Sequence, residues 1–138
     1  MENIINVVGT MFFKNKKILI DKPRKRKTFQ MIGGKIEPNE APIKAAIREC
    51  HEELGKEAIF DEEKFELVME FDEIATSDGK TPIHFFVFKY LGTLAGKIST
   101  SDEIEGFLWY ETKHGKSMLS NTLKNEVIPY CIENNLIK

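Results

Sequence analysis

The chain has 138 residues, 41% of them hydrophobic and 30% charged, proportions that fit a globular protein and exclude a disordered or fibrous one. That length is expected to form a single domain over residues 1–138 with room for a proper core. A formal net charge of −2 gives no global attraction for nucleic acid, so any polyanion must be held locally or through a metal.

Residues 4–13 are rich in β-branched and aromatic side chains and read as a strand in which Gly9 permits a bulge or a close approach. Residues 14–16 are a turn, and residues 17–20 return as a second strand to complete a hairpin. Residues 22–27 then set five cations around Pro23, which forbids regular structure. This run reads equally as a solvated loop and as the mouth of a phosphate site, with Arg24 and Arg26 as candidate substrate contacts. Residues 29–32 are a short extended run that delivers the chain into Gly33-Gly34, where the backbone can approach a metal or phosphate with no Cβ in the way.

A helix is predicted next over residues 42–54, with Pro42 suited to its first position and Gly55 to the residue just past its end. Ile43, Ala46, Ile47, Cys50 and Leu54 form one apolar stripe facing a core. Residues 60–64 make a charged connector, and residues 65–75 and 83–91 are strand-like, joined by Thr76-Ser77-Asp78-Gly79-Lys80 with its Asp-Gly hairpin signal. Phe85-Phe86-Val87-Phe88 is apolar on both faces, which predicts a central strand. Residues 99–106 are a polar loop entering a strand over residues 107–110. Residues 122–134 carry Leu123, Val127 and Tyr130 at helical spacing, with Pro129 expected to kink or split that helix. Strands on both sides of one helix, followed by a closing helix, predict an α/β fold with a mixed sheet between helices. Cys50 and Cys131 read as free buried thiols rather than a disulfide framework. There is no charged N-terminal segment leading an apolar one and no apolar run of the roughly 18 residues that span a bilayer, so a cytoplasmic protein without a membrane partner is expected.

The chemistry concentrates on the other side of the first helix. Glu49, Glu52 and Glu53 fall at i, i+3 and i+4, where their like charges repel unless something positive sits among them. A divalent cation suits oxygen ligands, and Mg²⁺ in particular is commonly shared with substrate phosphates. Glutamates on a helix face are more often plain solvated surface, and the three alone would not decide between these readings.

Their setting decides it. Gly34, Glu40, Arg48, Glu49, Glu52, Glu53 and Gly55 match G-x5-E-x7-R-E-U-x-E-E-x-G-U, with U a bulky apolar residue, which is the signature of the Nudix hydrolases. At average residue frequencies a chance match of all seven fixed positions is on the order of one in a million for a chain of this size. Cys50 is a small residue at the first U position, the charged Lys56 departs from the pattern at the last, and Ala41 is a poor N-cap. None of these departures removes a reactive group. The two-stranded start, the hairpin after the helix, the acidic loop leading to a Trp strand and the Asn before the last helix are further similar to the MutT-like branch of that family.

The resemblance implies a Nudix fold, an α/β/α sandwich with a curved mixed β-sheet between helices. It implies a metal-dependent hydrolase that cleaves a phosphoanhydride in a nucleoside di- or triphosphate, or in a nucleoside diphosphate linked to another group, using Mg²⁺ or Mn²⁺ and water. By resemblance, Glu52, Glu53 and the Gly34 carbonyl are metal ligands, and Glu49 is either a further ligand or the base. Arg48 and Glu40 are orienting partners, and Lys35 neutralises the phosphate chain. Glu103 resembles an acidic residue supplied from a distant loop as an additional ligand or base, with Glu105 as its rival. Asn121 stands where MutT-like enzymes read a purine base, and it is equally an N-cap for a helix starting at Thr122. Trp109 is open to stacking on a base or to packing in the core. The alternative function is a catalytically silent Nudix-fold nucleotide sensor, although an intact acid cluster serves no purpose in a silent site. The oligomeric state is not legible.

Overall fold

The computed structural model describes residues 4–75 and 78–138. Strand β1 (Ile5–Met11) runs into the short β2 (Phe13–Lys14), and β3 (Lys17–Pro23) turns back against β2 through Asn15 and Lys16, both with positive φ. The predicted first strand is thus broken at Phe12, which leaves the sheet line to bury its ring against Tyr90. Strand β4 (Gln30–Lys35) carries both glycines inside it, rather than ending before them. The reason lies in the pairing with β1, where Gly33 faces Gly9: a Cβ on Gly33 would stand 1.9 Å from the Val8 carbonyl oxygen. Helix α1 (Pro42–Leu54) has the predicted bounds and buries Ala45, Ala46, Ile47, Cys50 and Leu54.

Beyond α1 lie β5 (Ala58–Ile59), β6 (Phe65–Ile74), β7 (Pro82–Tyr90), β8 (Ala95–Gly96) and β9 (Ile104–Tyr110). The two-residue strands β5 and β8 pair only with each other. The main sheet has the order β2-β3-β4-β1-β7-β6, with β9 on the other edge of β3. It is mixed, because β1 runs parallel to β7 and antiparallel to β4. Strand β7 lies between β1 and β6, the interior place that its two-sided apolar run predicts. In the β6–β7 turn, Asp78 accepts the Lys80 and Thr81 amides; Thr76 and Ser77, which the sequence assigns to that turn, lie outside the described residues.

Alternation along β3 sorts the two faces of the sheet. Ile18 and Ile20 join Met11, Met31, Val87, Leu123, Val127, Ile128 and Cys131 on one face. Leu19 joins Phe12, Ile32, Cys50, Leu54 and Tyr90 beneath α1 on the other. The closing helix is split as expected, in an unexpected manner. Residues 123–127 form a π turn in which the Ile128 amide reaches back to the Leu123 carbonyl, and α2 (Ile128–Glu133) continues it. Pro129 has no N–H for the α-helical bond to Asn125, so the wider π register is resolved at the residue before it. The result is an α/β fold with α1 on one face of a mixed sheet and α2 on the other. No described helix is long and apolar enough to cross a membrane.

Candidate active site

The acidic residues are positioned by the roll of α1. Pro42 starts the helix and Ala41 gives it no side-chain cap; the preceding turn is closed by the Glu37 amide donating to Glu40 Oε1 at 3.0 Å. With the apolar stripe buried against β1 and β7, Glu49 and Glu53 lean over the glycines of β4 while Glu52 points outward, its side chain 58% exposed. Glu53 Oε2 accepts the Gly33 amide at 2.7 Å. Glu49 lies flat on Gly34, where a Cβ would meet its carboxylate atoms at 2.6 to 2.7 Å. The Gly34 carbonyl, expected as a ligand, therefore belongs to the residue that supports Glu49.

Arg48 binds this assembly together. Its Nε and Nη2 grip both oxygens of Glu40 at 2.8 and 2.9 Å, a bidentate pair, and Nη2 also donates to the Lys35 carbonyl at 3.0 Å. Its Nη1 reaches Glu49 at 3.0 Å and Glu52 at 3.4 Å. The hydrogen bonds from Arg48 hold the Glu40 carboxyl down to about 2. Burial raises Glu49 above the usual carboxylate range, Glu52 adds to the rise, and Arg48 opposes both. The charge of Glu103 also raises Glu49, so the exposed loop acid faces the helix acids; Glu105 is turned to Lys22 at 3.3 Å.

Beside Glu53 sits a carboxylate that sequence reasoning passed over. Asp21, on the same face of β3 as Leu19, is 0% exposed, and neither oxygen accepts a hydrogen bond from an N–H or hydroxyl; it lies against the Glu53 carboxyl. Burial pushes Asp21 up, and burial followed by the adjacent Asp21 pushes Glu53 up. The available signal was one acidic residue closing the apolar run Ile18-Leu19-Ile20 in a strand covered on both faces.

Asp21, Glu53, Gly33 and Gly34 help to line a cavity of about 550 Å³ whose walls include Lys35 and Arg26, whereas Glu49, Glu52 and Glu103 are not among its lining residues. Asn121, Glu73 and Phe85 also line it, the last two from β6 and β7, across β1 from β4. Phe85 stacks on Phe71 at 5.2 Å, and Glu73 accepts a hydrogen bond from Thr122. Ser120 takes the capping role open to Asn121, since its Oγ accepts the Leu123 amide at 3.3 Å. Arg24 and Trp109 do not line the cavity. The Arg24 side chain donates to the Asp102 and Ser101 carbonyls at 3.1 and 3.4 Å and so anchors the loop bearing Glu103. Trp109 pairs with Leu19 across the sheet and packs on the core beneath α1.

In their present rotamers, no three described His, Cys, Asp or Glu side chains converge closely enough to hold an ion. The donor set still fits a hard divalent cation: Glu49, Glu52, Glu53, Glu103 and the Gly34 carbonyl offer only oxygen, and Asp21 adds two oxygens that accept no hydrogen bond from an N–H or hydroxyl. Arg48 lies among these acids, so coordination requires the side chains to turn toward one another.

The NUDIX domain model matches residues 5–129 of the chain. No curated protein is a significant match. Among solved structures, the MutT protein of Methanosarcina mazei Go1 superposes with a TM-score of 0.76 at 18% identity, covering 96% of this chain and 96% of that one. The MutT NUDIX hydrolase of Burkholderia pseudomallei gives 0.74 at 20%, covering 96% and 98%. The E. coli ORF135 protein gives 0.67 at 24%, covering 95% and 88%. At these identities the structural likeness concerns the fold.

Proposed function

The chain belongs to the NUDIX domain family, hydrolases of phosphorus-containing acid anhydrides that generally use a divalent metal, and from that premise we propose a Mg²⁺-dependent pyrophosphohydrolase of nucleoside di- or triphosphates. The observation that carries this reading is the cavity of about 550 Å³, whose lining brings Asp21, Glu53 and the glycines of β4 together with the cations Lys35 and Arg26 and with Phe85 and Asn121. That volume suits a mononucleotide, and the lining offers both charged groups for a phosphate chain and an aromatic and an amide for a base. Residues 1–138 act as one such domain in the cytoplasm, on a small molecule rather than on nucleic acid or membrane.

Attack of water on phosphorus adds charge to oxygens that are already negative, so cations must be in place beforehand and a base must take the proton. When bound, Mg²⁺, or Mn²⁺ in its place, neutralises the phosphate oxygens and acidifies water. Glu52, Glu53, Glu103 and the Gly34 carbonyl would hold it. Burial raises Glu49 above the usual carboxylate range, the direction that favours accepting a proton. Arg48 holds Glu49 and Glu52 against the loop, and Lys35 and Arg26 meet the remaining phosphate charge. Asn121 can pair a donor and an acceptor with a base edge, and Phe85 offers the base an aromatic wall.

The test is phosphate or pyrophosphate release from a panel of nucleoside triphosphates, dinucleoside polyphosphates and nucleotide sugars with Mg²⁺. Cleavage of one class by the natural protein and not by Glu53→Gln supports the reading. Tight binding of a nucleotide that stays intact through long incubation would replace it with a sensor.

A further inference from the structure

Among the described residues, two buried side chains carry polar atoms with no hydrogen-bond donor or acceptor beside them, the Thr10 hydroxyl and the Asp21 carboxylate, and only Asp21 is ionisable. Asp21 is completely buried, and no N–H or hydroxyl donates to either of its oxygens; the polar group it meets is the Glu53 carboxyl. Burying a carboxylate without a donor or cation is costly, and a neutral residue of similar size would cost far less. Several donors of the same region are engaged elsewhere. Gln30, paired with Asp21 across β3 and β4, gives its side-chain amide to Thr28 at 3.0 Å. Lys22 pairs with Glu105 at 3.3 Å, Arg24 holds the carbonyls of Ser101 and Asp102, and Arg48 holds Glu40. The side chain closest in chemistry is Glu53, another carboxyl, whose Oε2 is already bonded to the Gly33 amide. Two adjacent carboxyls with no cation between them, lining a cavity together with Gly33 and Gly34, form half of a hard-cation site.

We infer that Asp21 belongs to the divalent-cation site, acting with Glu53 either as a direct ligand or through one bridging water. It thereby supplements the three helix glutamates with an acid from β3. The inference rests on the metal-dependent reading of the site. It assigns Asp21 a task that no position of the sequence motif covers.

The experiment titrates free Mn²⁺ by electron paramagnetic resonance, without nucleotide, into the natural protein, Asp21→Asn and Asp21→Ser. Thermal unfolding in EDTA is recorded alongside. Both variants are expected to bind Mn²⁺ about 10- to 100-fold more weakly, the usual loss when a partner of a metal site is removed. Both are expected to melt in EDTA no lower than the natural protein, because an orphaned charge has gone. Mn²⁺ affinity within threefold of the natural protein in both variants overturns the inference. So does any loss of binding accompanied by a lower melting temperature in EDTA, which makes Asp21 a structural anchor. As no substrate is present, failure of the nucleotide panel leaves this result intact, and the reverse holds equally.

Discussion

Gly33 and Gly34 are adjacent, yet adding one methyl group to each should give opposite patterns. At Gly34 the new Cβ would stand 2.6 to 2.7 Å from Glu49 Cδ, Oε1 and Oε2. Ordinary contact begins near 3.4 Å, so the carboxylate must retreat by roughly 0.7 to 0.8 Å. A misplacement approaching 1 Å at a reacting group costs up to about 100-fold, near 2.7 kcal/mol of barrier, so Gly34→Ala is expected to lower kcat/KM by roughly 30- to 100-fold. The displaced atoms end a flexible side chain and Gly34 has no positive φ, so stability should fall by less than about 0.5 kcal/mol, roughly 2 °C. At Gly33 the methyl would stand 1.9 Å from the Val8 carbonyl oxygen and 2.8 Å from Gly9 Cα, both backbone atoms of β1. Relief there must break sheet pairing, at about 3 kcal/mol or more, and activity and melting temperature should fall together. The assay is steady-state hydrolysis of the best panel substrate with a thermal melt on the same samples. Activity of Gly34→Ala within twofold of the natural protein, or a melting loss equal to that of Gly33→Ala, would refute the placement of Glu49.

Three further outcomes follow from the same geometry. Arg48→Lys keeps the charge but cannot make the bidentate grip on Glu40, so kcat/KM should drop about tenfold and full activity would show that only charge matters. Mg²⁺ at about 100 times its dissociation constant should stabilise the fold by about 2.7 kcal/mol, a gain that Glu52→Gln and Glu53→Gln should largely abolish in a melting experiment. His84 is raised above 6.5 by its hydrogen bonds to Glu70 and then Asp72. Its contribution to stability is therefore complete below 6.5 and is lost as pH rises through the raised value, so His84→Gln should flatten urea-unfolding stability across that window. An unchanged pH profile in that variant would remove the clamp between β6 and β7.

What could be read in advance was whatever repeats with a period. The apolar stripe of α1, closed by Pro42 and Gly55, gave its bounds to the residue, and the two-sided apolar run of β7 gave its interior place. Features decided by a single tertiary contact were not legible. The π turn depends on how the chain reconciles Leu123 and Ile128 with the missing amide of Pro129. Strands β5 and β8 are two residues each and exist only by pairing with one another. Ser120, Asn121 and Thr122 are all good caps, and only packing selects Ser120. In the candidate site, the proximity of Glu49, Glu53, Gly34 and Arg48 could be expected from the motif's spacing. That of Asp21 could not, because one acidic residue in a strand acquires meaning only when Glu53 is folded against it.

Hydrolysis in ¹⁸O-labelled water, followed by mass analysis of both products, tests the central claim most directly. The account predicts one labelled oxygen in a phosphoryl product, formed only with Mg²⁺ or Mn²⁺ and lost in Glu53→Gln. Turnover that continues in EDTA, label in a product that carries no phosphorus, or unchanged turnover in the variant would contradict it.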